Sequence, residues 1–315
     1  MSPIEIFHLF AYDGPNIFGP RPGVLLRVRC DKNRSKRIKA ALKDGAQFIG
    51  MIMAYLDVTA EADGDGFVIS AHFTTPTPAI GQALAEYIVA GIRAQALGDE
   101  EWDKDTPLFE LQKRRRQEAL PTPALRLVAE AQRRNVPLLT RPDGKIQLGY
   151  GALSWAADPA AVTDATAAAL PWERLGANPI YAVTGEQHRS VAVQRITAQL
   201  QTAGHPVSAI DDADYTATAA LLADPATTIA VIGLQTQGIL RRGLAFDRCT
   251  QSIITDLQGA CPAEAADVTE WARAAGTPML VAAGPAILNM ADPALALLKA
   301  YAPYGIVSHA MGEEL

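Results

Sequence analysis

The chain has 315 residues, 49% hydrophobic and 20% charged, with a mean hydropathy of +0.06; this composition supports packed cores and excludes disordered, collagen-like and coiled-coil chains. At about 100–200 residues per domain, the length predicts two domains. The net charge of −6 is uneven, with 20 basic and 18 acidic side chains in residues 1–150 against 8 and 16 in residues 151–315, so neither half has the basic excess that nucleic-acid binding requires.

In chain order, GVLLRVRC (23–30) reads as a strand bounded by Pro22 and a charged stretch. FVISAHF (67–73) reads as another, following the turn residues Asp63-Gly64-Asp65-Gly66. From Ala79 to Leu97 the apolar residues Ile80, Leu84, Tyr87, Ile88 and Ile92 recur at helical spacing. Thr122 is placed to cap a helix that starts at Pro123 and carries Leu125, Leu127, Val128 and Ala131. VPLLT (136–140) reads as a short strand, closed by the turn Arg141-Pro142-Asp143-Gly144. The alanine-rich run 156–170, followed by Pro171 and Pro179, is either a linker or a weakly amphipathic helix. The expected division is an α+β N-terminal domain over 1–155, a linker over 156–175 and a second domain over 176–315.

The second half alternates strand and helix: IYAVTG (180–185), a helix over 190–203, TTIAVIGL (227–234), SIITDL (252–257), a helix over 263–275, TPMLVAAG (277–284) and GIVSHA (305–310). Continuous β-branched runs separated by helices predict a mostly parallel sheet covered on both faces, and an α/β chain overall. No apolar run approaches the ~18–20 residues that span a bilayer. The opening MSPIEIFHLF lacks the pattern of a secretory signal. Cys30, Cys249 and Cys261 are too scattered for a disulfide framework or a zinc pair. A cytoplasmic protein without membrane or nucleic-acid partners is expected.

Several runs could carry chemistry. Ile180–Gly185 is a strand entering a turn and then a helix, the context of a phosphate-binding loop. A working loop needs glycine where His188 stands and lysine where Arg189 stands. Ser190 is an acceptable magnesium ligand, whereas Glu186 places negative charge where an anion would bind, so an ordinary strand-to-helix turn is favoured. In Gly238–Cys249, the adjacent Arg241 and Arg242 could clamp a carboxylate or phosphate. The alternative is a solvated loop pinned by an ion pair of Asp247 with arginine. Lys113-Arg114-Arg115-Arg116 reads as a solvated helix face. His8, His72, His188, His205 and His309 have no metal-ligand spacing, and His72 reads as a half-buried sheet residue. There is no G-x-S-x-G and no Cys/His nucleophile arrangement.

The run Gly238-Ile239-Leu240-Arg241-Arg242-Gly243-Leu244-Ala245-Phe246-Asp247-Arg248-Cys249 resembles the loop after a central strand in the Mur-ligase-like domain of cyanophycin synthetases. Ile253-Ile254-Thr255-Asp256 continues the likeness, and Ala286–Pro293 resembles that family's V-L-N-x-D-D-P segment. Tyr181–Gly185 is similar to the strand entering its phosphate loop. In the first half, Asp13–Phe18 with Arg21-Pro22 resembles the family's R-G-P-N-x-W opening. Pro123–Gly151, ending in Gln147-Leu148-Gly149-Tyr150-Gly151, is similar to the closing signature of its N-terminal domain.

The departures from that family fall on its chemistry. Gly151 leads almost directly into the alanine-rich run, where the family carries an ATP-grasp domain. The family's G-T-N-G-K-T-T loop is replaced by Gly185-Glu186-Gln187-His188-Arg189-Ser190-Val191, and the position of its metal-binding glutamate is Gly233. The Asp-His pair expected soon after Asp256 is absent. Lys299 is the only lysine of the second half, and the given sequence ends where the family's C-terminal ligase domain would begin. The H-x-x-E-H zinc helix of some members is matched by Gln82, Ala85 and Glu86. Phosphoryl transfer depends on positioned charge and metal acting together, and arginine does not reproduce lysine's point charge.

The resemblance therefore implies a degenerate, P-loop-like Mur-ligase-type domain behind a cyanophycin-synthetase-like N-terminal domain. It implies a non-catalytic binding or accessory protein in amino-acid polymer or peptide-ligase metabolism, with no catalytic residues and no metal. The alternative is an ATP-dependent amide-bond-forming ligase, or an amide hydrolase, of altered chemistry. Candidate ligand-binding residues are Gly185, Arg189, Ser190, Arg241, Arg242, Asn16 and Arg21. No cofactor is expected, with ATP and magnesium binding only if the altered loop still holds them. Expected partners are a full-length cyanophycin-type ligase, a peptide-like polymer or a second copy of the chain.

Overall fold

The computed structural model describes residues 3–309. They form two compact units, one built from the residues up to Asp13 with Arg21–Ala119, the other from Gly14–Pro20 with the chain from Leu120 onward.

The first unit contains β1 (Ile4–Tyr12), β2 (Gly23–Cys30), α1 (Ser35–Ile49), β3 (Tyr55–Asp63), β4 (Gly66–Thr74), α2 (Pro78–Leu97) and α3 (Thr106–Gln117). Its strands form an antiparallel sheet in the order β1-β2-β4-β3. Strand alternation puts Val24, Leu26 and Val28 in one core with Ile69, Ala71 and Phe73, where Ile38, Leu42, Ile80 and Leu84 of the helices join them. Neighbouring positions on β4 point the other way. His72, one of them, is 8% exposed, and burial pushes its pKa down to about 4 against the opposing charge of Asp57.

The second unit opens with α4 (Thr122–Arg133), followed by a small antiparallel sheet of β5 (Leu138–Thr140), β6 (Ile146–Leu148) and β7 (Trp155–Ala157), and by the single turn α5 (Thr166–Ala169). Thr122 is the first residue of α4 rather than its cap; Pro121 holds the cap position and no side chain bonds there. The alanine-rich run does not stand apart as a linker. Its Val162 and Leu170 are buried with Leu127, Ala131 and Leu148 in one small core. The division between units thus falls at Ala119, upstream of the composition break, because residues 120–175 bury their apolar side chains with the rest of the second unit.

The remainder runs through β8 (Ile180–Thr184), α6 (Arg189–Thr202), β9 (Ser208–Ala213), α7 (Tyr215–Ala223), β10 (Ala230–Leu234), α8 (Thr236–Arg242), β11 (Gln251–Ile254), α9 (Val268–Gly276), β12 (Ala286–Asn289) and β13 (Ile306–His309). The expected parallel sheet is present, with six strands in the order β13-β12-β11-β8-β10-β9. Its apolar strands are buried on both faces: Ile180, Ala182 and Ile232 pack with Leu222 and Ile239, while Val183, Val231 and Ile253 pack with Val193 and Ile196 of α6. The expected strand at 277–284 is instead a 3-10 turn over Thr277–Val281 that continues from α9. Pro278 cannot donate to a strand ladder, and Met279 is buried beside Trp271, Leu295 and Leu298.

From β8 the chain crosses toward β10 and β9, whereas from β11 it moves the opposite way to β12 and β13. The carboxyl ends of β8 and β11 therefore flank the switch point at which open α/β sheets receive ligands. Among the described residues, no helix is long and apolar enough to cross a membrane.

Candidate functional site

The pairing of Ile253 with Val183 and of Ile254 with Thr184 carries Thr255 and Asp256 level with the loop that leaves β8. Gly185 begins that loop with φ 143°, and a Cβ there would lie 1.9 Å from Thr255 Oγ1. Glycine is required on both counts. The N–H groups of Glu186, Gln187 and His188 then turn toward one point, ahead of the first turn of α6.

That point is the carboxylate of Asp256. Glu186 N and Gln187 N donate to its Oδ1 at 3.2 and 3.0 Å, and His188 N donates to Oδ2 at 2.9 Å. Gln258 N adds a contact to Oδ1 at 3.2 Å, the Thr255 hydroxyl donates to Oδ2 at 2.9 Å, and His188 Nδ1 lies 3.1 Å from Oδ2. The side chain is fully buried. Burial alone would raise its pKa, but the N–H donors of Gln187, His188 and Gln258 and the Thr255 hydroxyl outweigh it and hold the carboxyl below the usual range. Successive backbone N–H groups at a helix start form a nest for an anion. In this protein the anion is the chain's own carboxylate.

The segment that holds Asp256 is itself braced. Asn289 Nδ2 donates to Thr255 O at 3.0 Å, and Leu257 N donates to Asp292 Oδ2 at 2.8 Å. Asn289 and Asp292 are thus occupied in fixing the strand end that delivers the carboxylate.

Arg189 is 9% exposed. Its Nε donates to Asp211 Oδ1 at 2.8 Å and its Nη2 to Asp212 Oδ1 at 2.7 Å, while Nη1 reaches Gly185 O and Leu234 O at 3.3 and 3.4 Å. The Ser190 hydroxyl also donates to Asp211. Burial opposes ionisation of Asp211, yet Ser190, Arg189 and the Asp212 N–H hold its pKa below the ordinary value. A Cβ on Gly233 would lie 2.1 Å from Asp211 Oδ1, so this carboxylate of β9 covers the position where the resemblance puts a metal-binding glutamate. Glu186 is drawn elsewhere, accepting from the Thr236 hydroxyl and from Trp271 Nε1 at 3.3 Å.

The structure gathers Gly185, Arg189 and Ser190 around the start of α6, whereas Arg241 and Arg242 stand in the last turn of α8. Arg241 Nε meets Glu264 at 3.0 Å, with Gln237 on the same carboxylate at 2.8 Å. The Arg242 guanidinium lies 4.3 Å from the centre of the Tyr215 ring. Asp247 pairs with Arg248 at 3.0 Å and accepts from the buried Tyr150 hydroxyl at 2.9 Å. Burial, together with the Asp247 charge, pushes the Tyr150 pKa well up. Asn16 is fully buried and braces a turn: its Nδ2 donates to Gly14 O at 2.9 Å, and its Oδ1 accepts from Phe18 N at 3.0 Å. Arg21 belongs to the first unit and is exposed.

Sequence reasoning missed Asp256, Asp211 and Asp212 as the groups that decide this site. No local signal marks them, because the pairing of β11 with β8 that delivers Asp256 to the loop is a matter of strand order. Among the described residues, no group of three or more His, Cys, Asp or Glu side chains is placed to hold a metal ion.

Fold and site together define a mixed α/β chain, carrying a six-stranded parallel sheet whose switch-point loop is closed by an internal carboxylate. Residues 3–309 match the family described as Domain of unknown function (DUF4938), and the chain belongs to that family. Comparison with curated proteins finds no match.

Proposed function

We propose that this chain is a non-catalytic relative of the cyanophycin synthetases, acting by binding as an accessory protein in amino-acid polymer or peptide-ligase metabolism. The observation that supports the reading best is Asp256 in the nest. A nucleotide phosphate entering there would have to displace a carboxylate that receives five N–H and O–H donors, or sit against its negative charge. Arg189, the one cation of the loop, is neutralised by Asp211 and Asp212. Under this reading the Mur-type framework survives as a scaffold, and a full-length cyanophycin-type ligase, a peptide-like polymer or a second copy of the chain is the binding partner.

Phosphate release from Mg-ATP tests the reading, with the purified protein supplied with amino acids and dipeptides. The expected result is no release above a blank. Turnover that Arg189→Ala abolishes would overturn it and favour a ligase of altered chemistry.

A further inference from the structure

One cavity of the first unit is unrelated to the Asp256 loop. It is a cleft of about 670 Å³ between α1 and α2, closed along one side by residues 98–108, and its size is that of a small-molecule site. Its wall is aromatic. Tyr87 and Trp102 stand with ring centres 5.3 Å apart and planes inclined at 31°. Trp102 is seated over Gly91, where a Cβ would come within 2.5 Å of the indole ring, so only glycine admits it. The Tyr87 hydroxyl donates to Lys104 O at 2.8 Å, tying the covering loop to α2.

The charged groups lining this cleft are three carboxylates, Asp44, Asp99 and Glu100, and two cations, Arg37 and Lys104. Asp44 projects from α1 and has no ion-pair partner among the described residues. Asp99 and Glu100 border the same space, and the loop 98–105 carries five acidic residues against the single Lys104. Arg37, held by the neutral Gln95, and Lys104 keep their positive charges at the rim, so the net charge of the lining is −1, from three carboxylates against two cations. Aromatic faces carry negative quadrupole density and attract cations within about 6 Å, and unpaired carboxylates beside them add to that field.

We propose that this cleft binds a small organic cation, an ammonium or guanidinium group on an apolar body. Its charge sits between Asp44 and the Tyr87–Trp102 pair, and its apolar part lies along the helix walls. The site is independent of the proposed function of the second unit.

The test is calorimetric titration of the full chain at pH 7 and low ionic strength with benzylammonium, and with benzoate as an anion of equal size. Saturable binding of benzylammonium is expected, with benzoate at least about tenfold weaker. Asp44→Asn, a substitution at an exposed helix position, is expected to weaken benzylammonium about fivefold or more, and Trp102→Leu by a similar factor, with the circular dichroism of both variants unchanged. Equal binding of benzoate, an isotherm unaffected by Asp44→Asn, or no saturable binding up to about 10 mM benzylammonium would each overturn the proposal.

Discussion

Asp256 is the residue on which the loop after β8 depends most. Its carboxylate lies in a buried nest, and deleting it leaves several N–H groups without an acceptor, each costing about 1–3 kcal/mol when buried. Some of that cost is relieved by entering water, so Asp256→Ala is expected to lose about 2–4 kcal/mol in denaturant unfolding. The emptied nest then has room for an external anion, and inorganic phosphate is expected to stabilise the variant more than the wild type at matched ionic strength. Protons act on the same group. Asp256 and Asp211 have pKa values lowered by folding, so their stabilising contribution is complete above the unfolded carboxylate pKa of about 3.9 and is lost as pH falls through the lower folded values. His72 acts in a higher window. Its folded pKa of about 4 lies below the unfolded value of about 6.5, so stability that is complete above that value declines as pH falls from there toward 4. An NMR titration in which the His72 imidazole is still neutral at about pH 5.5 would bear this out; half-protonation near 6.5 would contradict it.

At the scale of elements, the loop from β8 to α6 shows how much of the site was legible beforehand. The strand at 180–184 and the helix after it followed from continuous apolar residues giving way to polar ones, as did β2, β4 and α2, whose periodicities are local. The substitutions at His188 and Arg189 were equally visible as departures from a phosphate loop. What fills the loop was not legible, because Asp256 lies 68 residues from His188 and Arg189 meets Asp211 and Asp212 across 22 and 23 residues. Pairings of that range are set by strand order, which no local pattern encodes. Arg241 and Arg242 show the same limit: adjacent in sequence, they end a helix and reach different neighbours. The glycines of this region are determined by the same long-range packing. Gly185→Ala would drive a Cβ into Thr255 at a backbone φ of 143°, and a loss of about 3 kcal/mol or more is expected by denaturant unfolding. A variant as stable as the wild type would mean that the strand end carrying Asp256 yields easily, and that the nest is not the rigid feature described above.

For the whole molecule, alternating elements predicted the α/β class, which is present, and the chain divides into two compact units. The position of the division was less legible, because an alanine-rich run looks like a linker until Val162 and Leu170 are seen buried. Gly14–Pro20 joins the second unit for a comparable reason: Pro15 O accepts from Leu244 N at 2.8 Å, a contact across most of the chain. At this scale, the switch point of the parallel sheet is already occupied by the protein's own Asp256 carboxylate. This occupancy is tested by calorimetric titration of Mg-ATP into the purified wild-type chain at modest ionic strength, repeated with Arg189→Ala. No saturable heat is expected up to millimolar ATP for either protein. Saturable binding by the wild type that Arg189→Ala abolishes would contradict it, since the loop would then be a working nucleotide site.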